Sequence, residues 1–428
     1  MKKPGLFHGW YIVAASLISL LLYSAVSVSI FFKPMLEDFC WDRATLSSVQ
    51  FTALILIAAV SPLFGRLIDR FGPRRMILAC VATQVISSVL NGIATSIWHL
   101  YLARFLYGLN TIYITQVLIN NWFFKKRGTA QGILATGIPI GALILVPVSQ
   151  YLINLWEWRP TMLFWALVTL VVMLPLSLII RNHPEDIGYG PDGEPLHKGQ
   201  LVDLSLKPDN ANNAKLGLNN GSSLTEAAKT MSFWLLGMTQ VICGIGCGFM
   251  ATHIVIFATD MGYSDILAAS LVSVQGGTCL VGVLVMGPLS DWIGRGKALS
   301  ITHFARGLSF AVIIVFVFLE GVPPWLLYAA MVLFGFGWFT TAPLAAGLVA
   351  DLFGSLRMGT ILGVIMSCHM IGMAIGSYAG GFIFELTQSY YLFFLTQGPL
   401  ELLAAGLALC IRMSSAALGY NQILTGPS

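Results

Sequence analysis

Two short stretches of similar sequence, 222 residues apart, decide the fold of this chain. The first is G-R-L-I-D-R-F-G-P-R-R, from Gly65 to Arg75, and the second is G-P-L-S-D-W-I-G-R-G-K, from Gly287 to Lys297. Each follows an apolar segment, and a glycine, a leucine, an aspartate and a second glycine recur at the same spacing. An internal repeat of this length predicts a protein made of two related halves.

The composition around these stretches determines the class of protein. Of the 428 residues, 57% are hydrophobic and 10% are charged, whereas soluble domains have about 25% charged residues. A chain of this kind cannot cover a water-facing surface, which excludes a soluble enzyme, a nucleic-acid-binding protein and a disordered chain. We therefore expect an all-α membrane protein whose main partner is the lipid bilayer. The seven cysteines lie mostly in apolar runs, and we interpret all of them as packing residues that bind no metal.

Apolar segments long enough to cross the hydrocarbon, at about 20 residues each, occur twelve times. The first of them, from Trp10 to Phe32, is too long for a signal peptide and is expected to remain in the protein. The predicted spans are residues 9–32, 45–64, 76–97, 99–122, 129–152, 159–180, 232–258, 265–286, 298–319, 324–350, 359–384 and 389–411.

The positions of lysine and arginine predict how these spans are oriented. If the N-terminus is cytoplasmic, thirteen basic residues fall in short inside segments, and only Lys33, Arg43 and Arg159 fall outside. This asymmetry is typical of the cytoplasmic side of membrane proteins. It predicts a protein of the cytoplasmic membrane with both termini in the cytoplasm. Residues 1–180 and 232–428 then form two six-span halves, and residues 181–231 form a polar cytoplasmic linker.

The two repeated stretches resemble the signature loop of the major facilitator superfamily. Four further strings resemble the monocarboxylate and oxalate/formate transporters of that superfamily: H-G-W-Y-I-V before span 1, W-D-R-A before span 2, P-E-D-I-G-Y-G-P-D-G after span 6 and H-I-V-I-F-A-T-D-M-G-Y-S in span 7. The resemblance implies the major facilitator fold, in which twelve transmembrane helices form two pseudo-symmetric six-helix bundles. It also implies transport of a small solute by alternating access.

The signature loops have a predicted mechanical role. We expect Asp69 to lie in a tight turn made possible by Gly65 and Gly72, where its carboxylate can face the positive end of a helix dipole. The resemblance places the start of span 11 opposite this loop and the start of span 5 opposite the second one. The alternative is that the loops only anchor the topology. The residues of this predicted cytoplasmic latch are Asp69, Arg70, Asp291, Arg127 and Arg357.

A few ionisable residues fall within the spans, where each needs a partner or a water-filled cavity. Arg104 belongs to an R-x-x-x-G string in span 4 and either attracts an anion, modulates a proton site or bonds to neighbouring helices. His253, at the end of span 7, is either a capping or interface residue near the outer surface, or part of a gate or proton-sensitive site. His369 lies on a glycine-rich packing face of span 11; resemblance to oxalate/formate transporters suggests a pH-dependent cation. Arg306 and Glu401 are predicted to form a structural ion pair; the alternative is that Glu401 is a proton-carrying acid.

The remaining cavity candidates are uncharged and belong to spans that the resemblance places around the pathway. They are Tyr23, Ser27, Gln275, Trp338 and Ser367. The sequence also departs from the monocarboxylate pattern, because Val283 stands where that branch has an arginine in span 8. The main carboxylate-binding cation is therefore missing, and the family's substrates cannot simply be carried over.

The function predicted from these features is secondary active transport of a small organic solute. Among such solutes, an organic anion such as a carboxylate is the one we expect first. We expect coupling to protons, action as a monomer, no cofactor and no enzymatic activity. One alternative is export of a neutral or amphipathic solute by proton antiport, and another is a non-transporting receptor on the same fold. No G-x-x-x-x-G-K-[ST] loop for ATP occurs in the sequence.

Overall fold

A computed structural model of the chain describes residues 7–109, 114–115, 118–119, 122–123, 127–193, 223–319, 324–353 and 358–411. These residues form helices and contain no β-strand. The α-helices, numbered in chain order, are α1 His8–Ser24, α2 Val28–Phe39, α3 Arg43–Phe71, α4 Pro73–Gly92, α5 Ile97–Gly108, α6 Arg127–Ala135, α7 Gly137–Trp156, α8 Trp158–Ile179, α9 Leu224–Ala227, α10 Met231–Asp260, α11 Asp265–Ile293, α12 Arg295–Phe318, α13 Trp325–Gly337, α14 Thr341–Phe353, α15 Met358–Thr387 and α16 Tyr391–Leu409.

Eleven segments in the described ranges are long and apolar enough to cross a membrane. They correspond to eleven of the twelve predicted spans. The predicted span at 99–122 is only partly described: helix α5 covers its first part, and several of the residues after Leu109 lie outside the described ranges.

Three of the spans are each made of two helices. Residues 25–27 separate α1 from α2, Thr136 separates α6 from α7, and residues 338–340 separate α13 from α14. None of these breaks has a proline at the break itself, so the apolar pattern alone predicts continuous helices there. Each break puts irregular backbone at membrane depth, which is tolerated only inside protein or beside a cavity.

The signature loops are shorter than predicted. Helix α3 continues to Phe71, so Gly65 and Asp69 are helical, and the predicted tight turn around Asp69 is wrong. The chain reverses at Gly72 alone, which has φ +78°, and Pro73 then occupies the first turn of α4. The second loop repeats this geometry: α11 ends at Ile293, and Gly294 has φ +92°. A positive φ is accessible to glycine at little cost, so one residue is enough to end each helix.

The chain divides into two compact units. Unit 1 comprises Met1–Lys207 together with Ala251–Gly277, and unit 2 comprises Pro208–Met250 together with Thr278–Ser428. This division differs from a cut at the linker, because one part of α10 and one part of α11 belong to unit 1. Within unit 1, α1 packs on α7 and α4 packs on α8; within unit 2, α12 packs on α13 and α16.

Each unit contains the same kind of close helix crossing. In unit 1, Gly137 and Gly141 of α7 lie directly against the backbone of α1 at Leu17 and Leu21. In unit 2, Gly372 and Gly376 of α15 contact the α10 backbone in the same way, at Val241 and Ile245. In both units two glycines four residues apart allow the partner backbone to approach, as is typical of helix pairs in membranes.

The crossing in unit 2 leads to a stability prediction. A Gly376→Ala substitution would place its Cβ against the Ile245 carbonyl oxygen, and overpacking of this kind costs about 1–3 kcal/mol. We expect a lower melting temperature in detergent. Gly363→Ala, on the same helix, is the matched control, because no atom of another described segment lies within 4 Å of its new Cβ. Equal melting temperatures for the two variants would contradict the crossing.

Candidate functional site

Arg104 lies on α5 in unit 1, and its side chain is the main cation of the candidate site. The residue is only 7% exposed, and its Nη1 atom has no hydrogen-bond partner among the residues that the structure describes. Its guanidinium carbon is 5.8 Å from the centre of the Tyr107 ring, on the same helix. No ion pair involving Arg104 is found in the described part of the chain. Both interpretations of Arg104, as an anion- or proton-site residue and as a residue bonded to neighbouring helices, stay predictions.

A small cavity opens beside Arg104, with room for about one water molecule in this conformation. Its polar lining consists of Gln50, Asn91 and Arg104. Asn91 donates to the Ser87 carbonyl oxygen at 2.9 Å, while its own buried Oδ1 accepts no hydrogen bond from any described residue. The cavity thus offers one unused cationic donor and one unused acceptor. Its apolar lining consists of Val28, Phe32, Met35, Leu46, Val49 and Leu100.

Tyr23 and Ser27 lie near the break between α1 and α2. The Tyr23 ring stacks on Tyr107 with centroids 4.5 Å apart, and the Tyr107 hydroxyl donates to the Tyr23 carbonyl oxygen. Tyr107 thereby links the broken span to the helix that carries Arg104. Ser27 is the residue before α2, and its hydroxyl is 3.1 Å from that of Ser29.

His253 is placed differently from the sequence expectation. Helix α10 continues two turns beyond it to Asp260, so a capping position is wrong, and the His253 side chain is fully buried. Its Nε2 lies 3.3 Å from Ser47 Oγ, and the Phe32 ring meets it edge-on at 5.0 Å. The imidazole is thus enclosed within unit 1 by α2 and α3.

Ion pairs connect the helix ends near His253, and sequence reasoning missed all of them. Arg43 makes two hydrogen bonds to Asp260, at 2.6 and 2.9 Å, and Lys33 lies 3.1 Å from Asp265. Both pairs join residues more than 200 positions apart, so no local pattern could reveal them. They hold the predicted outer ends of α2 and α3 to those of α10 and α11.

The other uncharged candidates make different contacts. Gln275 is buried within α11. Trp338 lies at the break after α13, with its ring 4.9 Å from that of Phe339. The Ser367 hydroxyl donates to the Gly363 carbonyl oxygen of its own helix at 2.9 Å.

The predicted latch can be described only in part. Arg357 and the side chains of Asp69 and Arg127 lie outside what the structure describes. Arg70 covers the ring of its neighbour Phe71, with its guanidinium carbon 5.4 Å from the centroid. Asp291, near the end of α11, lies 3.9 Å from Arg295, the first residue of α12. The latch stays a prediction.

Unit 2 contains a second group of buried charges, centred on the two residues predicted to pair. Arg306 Nη2 lies 2.8 Å from Glu401 Oε1, and both side chains are fully buried. His303 joins them, with its Nδ1 2.8 Å from Glu401 Oε2. Sequence reasoning missed His303, although its position three residues before Arg306 on one helix puts both on the same face.

Cys243 takes part in the same group, and its interpretation as an apolar packing residue is wrong. Arg306 Nη1 lies 2.7 Å from the Cys243 sulfur, and Nη2 donates to the Cys243 carbonyl oxygen at 2.7 Å. Arginine donors are always charged, so this sulfur acts as a hydrogen-bond acceptor. His369 lies beside Cys243 and is half-buried, and its Nδ1 has no hydrogen-bond partner.

The sequence model of the Major Facilitator Superfamily matches residues 12–377, which is most of the chain. This protein belongs to the major facilitator superfamily. It is therefore a multi-pass membrane transporter and not an enzyme.

The relatives of this superfamily member include several monocarboxylate transporters. Monocarboxylate transporter 13 of Bos taurus is 23% identical over 409 residues, which cover 94% of this chain and 89% of that protein. The uncharacterized MFS-type transporter YcxA of Bacillus subtilis is 26% identical and covers 86% of this chain and 85% of its own. The transporter thus resembles the monocarboxylate branch, as the sequence motifs predicted.

A solved structure confirms the fold of the transporter. The nucleoside transporter NupG, solved as a point mutant, superposes with a TM-score of 0.71 at 12% identity, covering 94% of this chain and 99% of its own. The predicted major facilitator fold is thus confirmed.

Proposed function

We propose that this transporter moves a small organic anion, such as a carboxylate, by secondary active transport. The observation that supports this most directly is the Arg104 guanidinium, buried beside a cavity with an unpaired nitrogen. A charge at the centre of a bilayer costs about 2.5–3.5 kcal/mol on insertion scales. An anion bound at Arg104 offsets this cost, which is a reason for the site to favour negative solutes.

The cavity supports a solute of limited polarity. Gln50, Asn91 and Arg104 provide its polar groups, and the rest of the lining is apolar. A carboxylate with a short apolar body satisfies both parts of this lining. The small volume implies that the cavity must widen before a solute enters, which agrees with the alternating access we propose.

The ion pairs at the predicted outer ends form the proposed outer gate. Arg43 with Asp260 and Lys33 with Asp265 must separate before these helix ends can part. The buried His253 lies just inside them. We include it, together with His369, among the groups that couple the gate to protons, because a histidine side chain can both accept and release a proton. On the cytoplasmic side, the proposed latch residues hold the protein closed while the outer gate is open, and they separate when the outer gate is closed.

A second candidate is the export of a neutral or amphipathic solute by proton antiport. Two observations favour it: the stacked rings of Tyr23 and Tyr107, the second of which lies close to Arg104, and Val283, half-buried, in place of the branch's arginine. In either case we propose a monomer in the cytoplasmic membrane with both termini in the cytoplasm.

The experiment that tests the proposal is transport by the purified protein in proteoliposomes. Radiolabelled carboxylates are offered in counterflow, and then as uptake with and without an imposed pH gradient. We expect counterflow of at least one small carboxylate and accumulation that follows the proton gradient. Counterflow of neutral or cationic solutes alone would reject the anion proposal and favour the second candidate.

The outer gate has its own test, based on a charge reversal. Arg43→Glu places two acids together and opens the outer ends, so we expect net uptake to slow by up to about 5-fold, the upper end of the range for one partly exposed ion pair. The double variant Arg43→Glu with Asp260→Arg recreates an ion pair of opposite orientation. It should recover most of the rate; equal defects in the single and double variants would show that these residues do not act as a gate.

A further inference from the structure

The buried charges of unit 2 do more than hold two helices together. We propose that His303 is a proton-binding site with Glu401 as its counter-ion. The charge of His303 then determines whether Arg306 binds more strongly to Glu401 on α16 or to Cys243 on α10. This deepens the proposed proton coupling and rests on it. The Arg306 and Glu401 pair keeps its charges in this scheme, and His303 is the group whose proton count changes.

Glu401 receives more donors than one charge pair requires. Arg306 Nη2 and His303 Nδ1 each lie 2.8 Å from one of its oxygens, and Gln397 Nε2 donates to Oε1 at 3.3 Å. All four residues are at most 1% exposed. A carboxylate only accepts hydrogen bonds, so the neutral imidazole donates through Nδ1. Its Nε2 then keeps a buried lone pair with no hydrogen-bond partner in the described ranges, where a second proton can bind.

Arg306 is divided between two helices. Besides Glu401 on α16, it contacts the sulfur and the carbonyl oxygen of Cys243 on α10, each at 2.7 Å. Its guanidinium also lies 4.7 Å from the centre of the Phe334 ring on α13. When another cation pairs with Glu401 on α16, Arg306 can therefore strengthen its contacts with Cys243 on α10.

The fold itself does not require these charges. Helices α4 and α12 each begin directly after a signature glycine, so Pro73 matches Arg295 in the repeat. Val81 and Gln84 of α4 then stand at the positions of His303 and Arg306. Helix α4 packs on α8 as α12 packs on α16, and α8 has no acidic residue. The same helix pair thus forms in unit 1 with uncharged residues, which indicates a role beyond packing for the charges of unit 2.

Protonation changes the balance within this group. With neutral His303, Arg306 alone compensates the charge of Glu401. With a second proton, the imidazolium pairs with Glu401 Oε2 as a full cation, and Arg306 is free to strengthen its contact with Cys243. The other titratable groups near this site are Cys247, which contacts Cys243 one turn away on α10, and His369 of α15, beside Cys243.

The position of Cys243 gives this change a route to the rest of the protein. Helix α10 belongs to both compact units, because unit 2 contains it up to Met250 and unit 1 contains it from Ala251 onward. Cys243 lies two turns before that division, and His253 lies just after it. A change in the hold of Arg306 on Cys243 therefore acts on a helix whose far end carries the proposed outer gate.

The first test is His303→Gln in the full-length transporter in proteoliposomes. Glutamine keeps an N–H donor for Glu401 but does not titrate. We expect counterflow to continue at a similar rate, while accumulation driven by a pH gradient is lost. His99→Gln on α5, an exposed histidine, is the matched control and should accumulate solute like the unmodified protein. Normal accumulation by His303→Gln would overturn the proposal.

The second test does not depend on any substrate. Histidine-labelled transporter in nanodiscs is followed by NMR between mildly acidic and mildly alkaline pH, and the His303 signal is assigned by its absence in His303→Gln. We expect an imidazolium form of His303 at the acidic end. Absence of that form at every pH would overturn the site. If it is present but no carboxylate is transported, the anion proposal fails while the proton site stands.

Discussion

An Arg104→Gln variant is expected to transport small carboxylates about 100-fold more slowly than the unmodified protein, because losing one partner of a buried charge pair costs about 2–5 kcal/mol. In the resting protein this arginine has no ion pair to lose among the described residues, so its removal should leave the melting temperature unchanged or raise it. Initial rates of counterflow and thermal melts of the same preparations measure the two effects. A lost rate with unchanged stability is the signature of a substrate-binding cation.

Arg104→Lys is the informative companion variant. Lysine keeps the charge but lacks the planar fork of donors that fits a carboxylate, so we expect a rate between those of the other two proteins. Unchanged counterflow in both variants would show that Arg104 does not bind the anion. A loss of folded protein in both would instead identify it as a structural residue.

The second large effect concerns stability. A Glu401→Leu variant leaves Arg306 charged and fully buried without its carboxylate, and breaking a buried pair from one side costs about 3–5 kcal/mol. We expect a sharp fall in the yield of folded transporter and in its melting temperature. The double variant Arg306→Met with Glu401→Leu removes both charges and should recover much of the lost stability.

The control for this pair is Glu385→Leu, an exposed acid near the end of α15. Its loss should hardly change the melting temperature, since exposed charges contribute little. A double variant as unstable as Glu401→Leu alone would mean that His303 or Gln397 depends on the carboxylate more than Arg306 does. Such a result would contradict a structural role for the ion pair.

Much of the fold follows from local sequence. Apolar length predicts the spans, and the glycines at 72 and 294 mark where helices α3 and α11 stop. The repeated stretch predicts two related parts, and both contain the same glycine-mediated crossing. The ends of the spans are less predictable. Helices α2 and α3 extend beyond the hydrocarbon into charged residues, and a criterion based on apolar length leaves those residues out. The break between α1 and α2 has no local marker, since the nearby Pro34 lies inside α2.

The candidate site is only partly predictable for a different reason. Arg104 is recognisable as a charge in an apolar segment, but its lack of a partner is a tertiary property. The pairing of Arg43 with Asp260 and the burial of His253 likewise depend on helices far apart in sequence. Of the buried charges in unit 2, the spacing of His303 and Arg306 was a usable signal, while the contact with Cys243 was not.

The assignment of residues 251–277 to unit 1 has a consequence for fragments of this transporter. A fragment ending in the middle loop would lack the partners that His253, Asp260 and Asp265 provide to Ser47, Arg43 and Lys33. The second fragment, which begins in the middle loop, would contain His253, Asp260 and Asp265 without these three partners. The two pieces should therefore accumulate only when they are produced together in one cell, even though each contains six predicted spans.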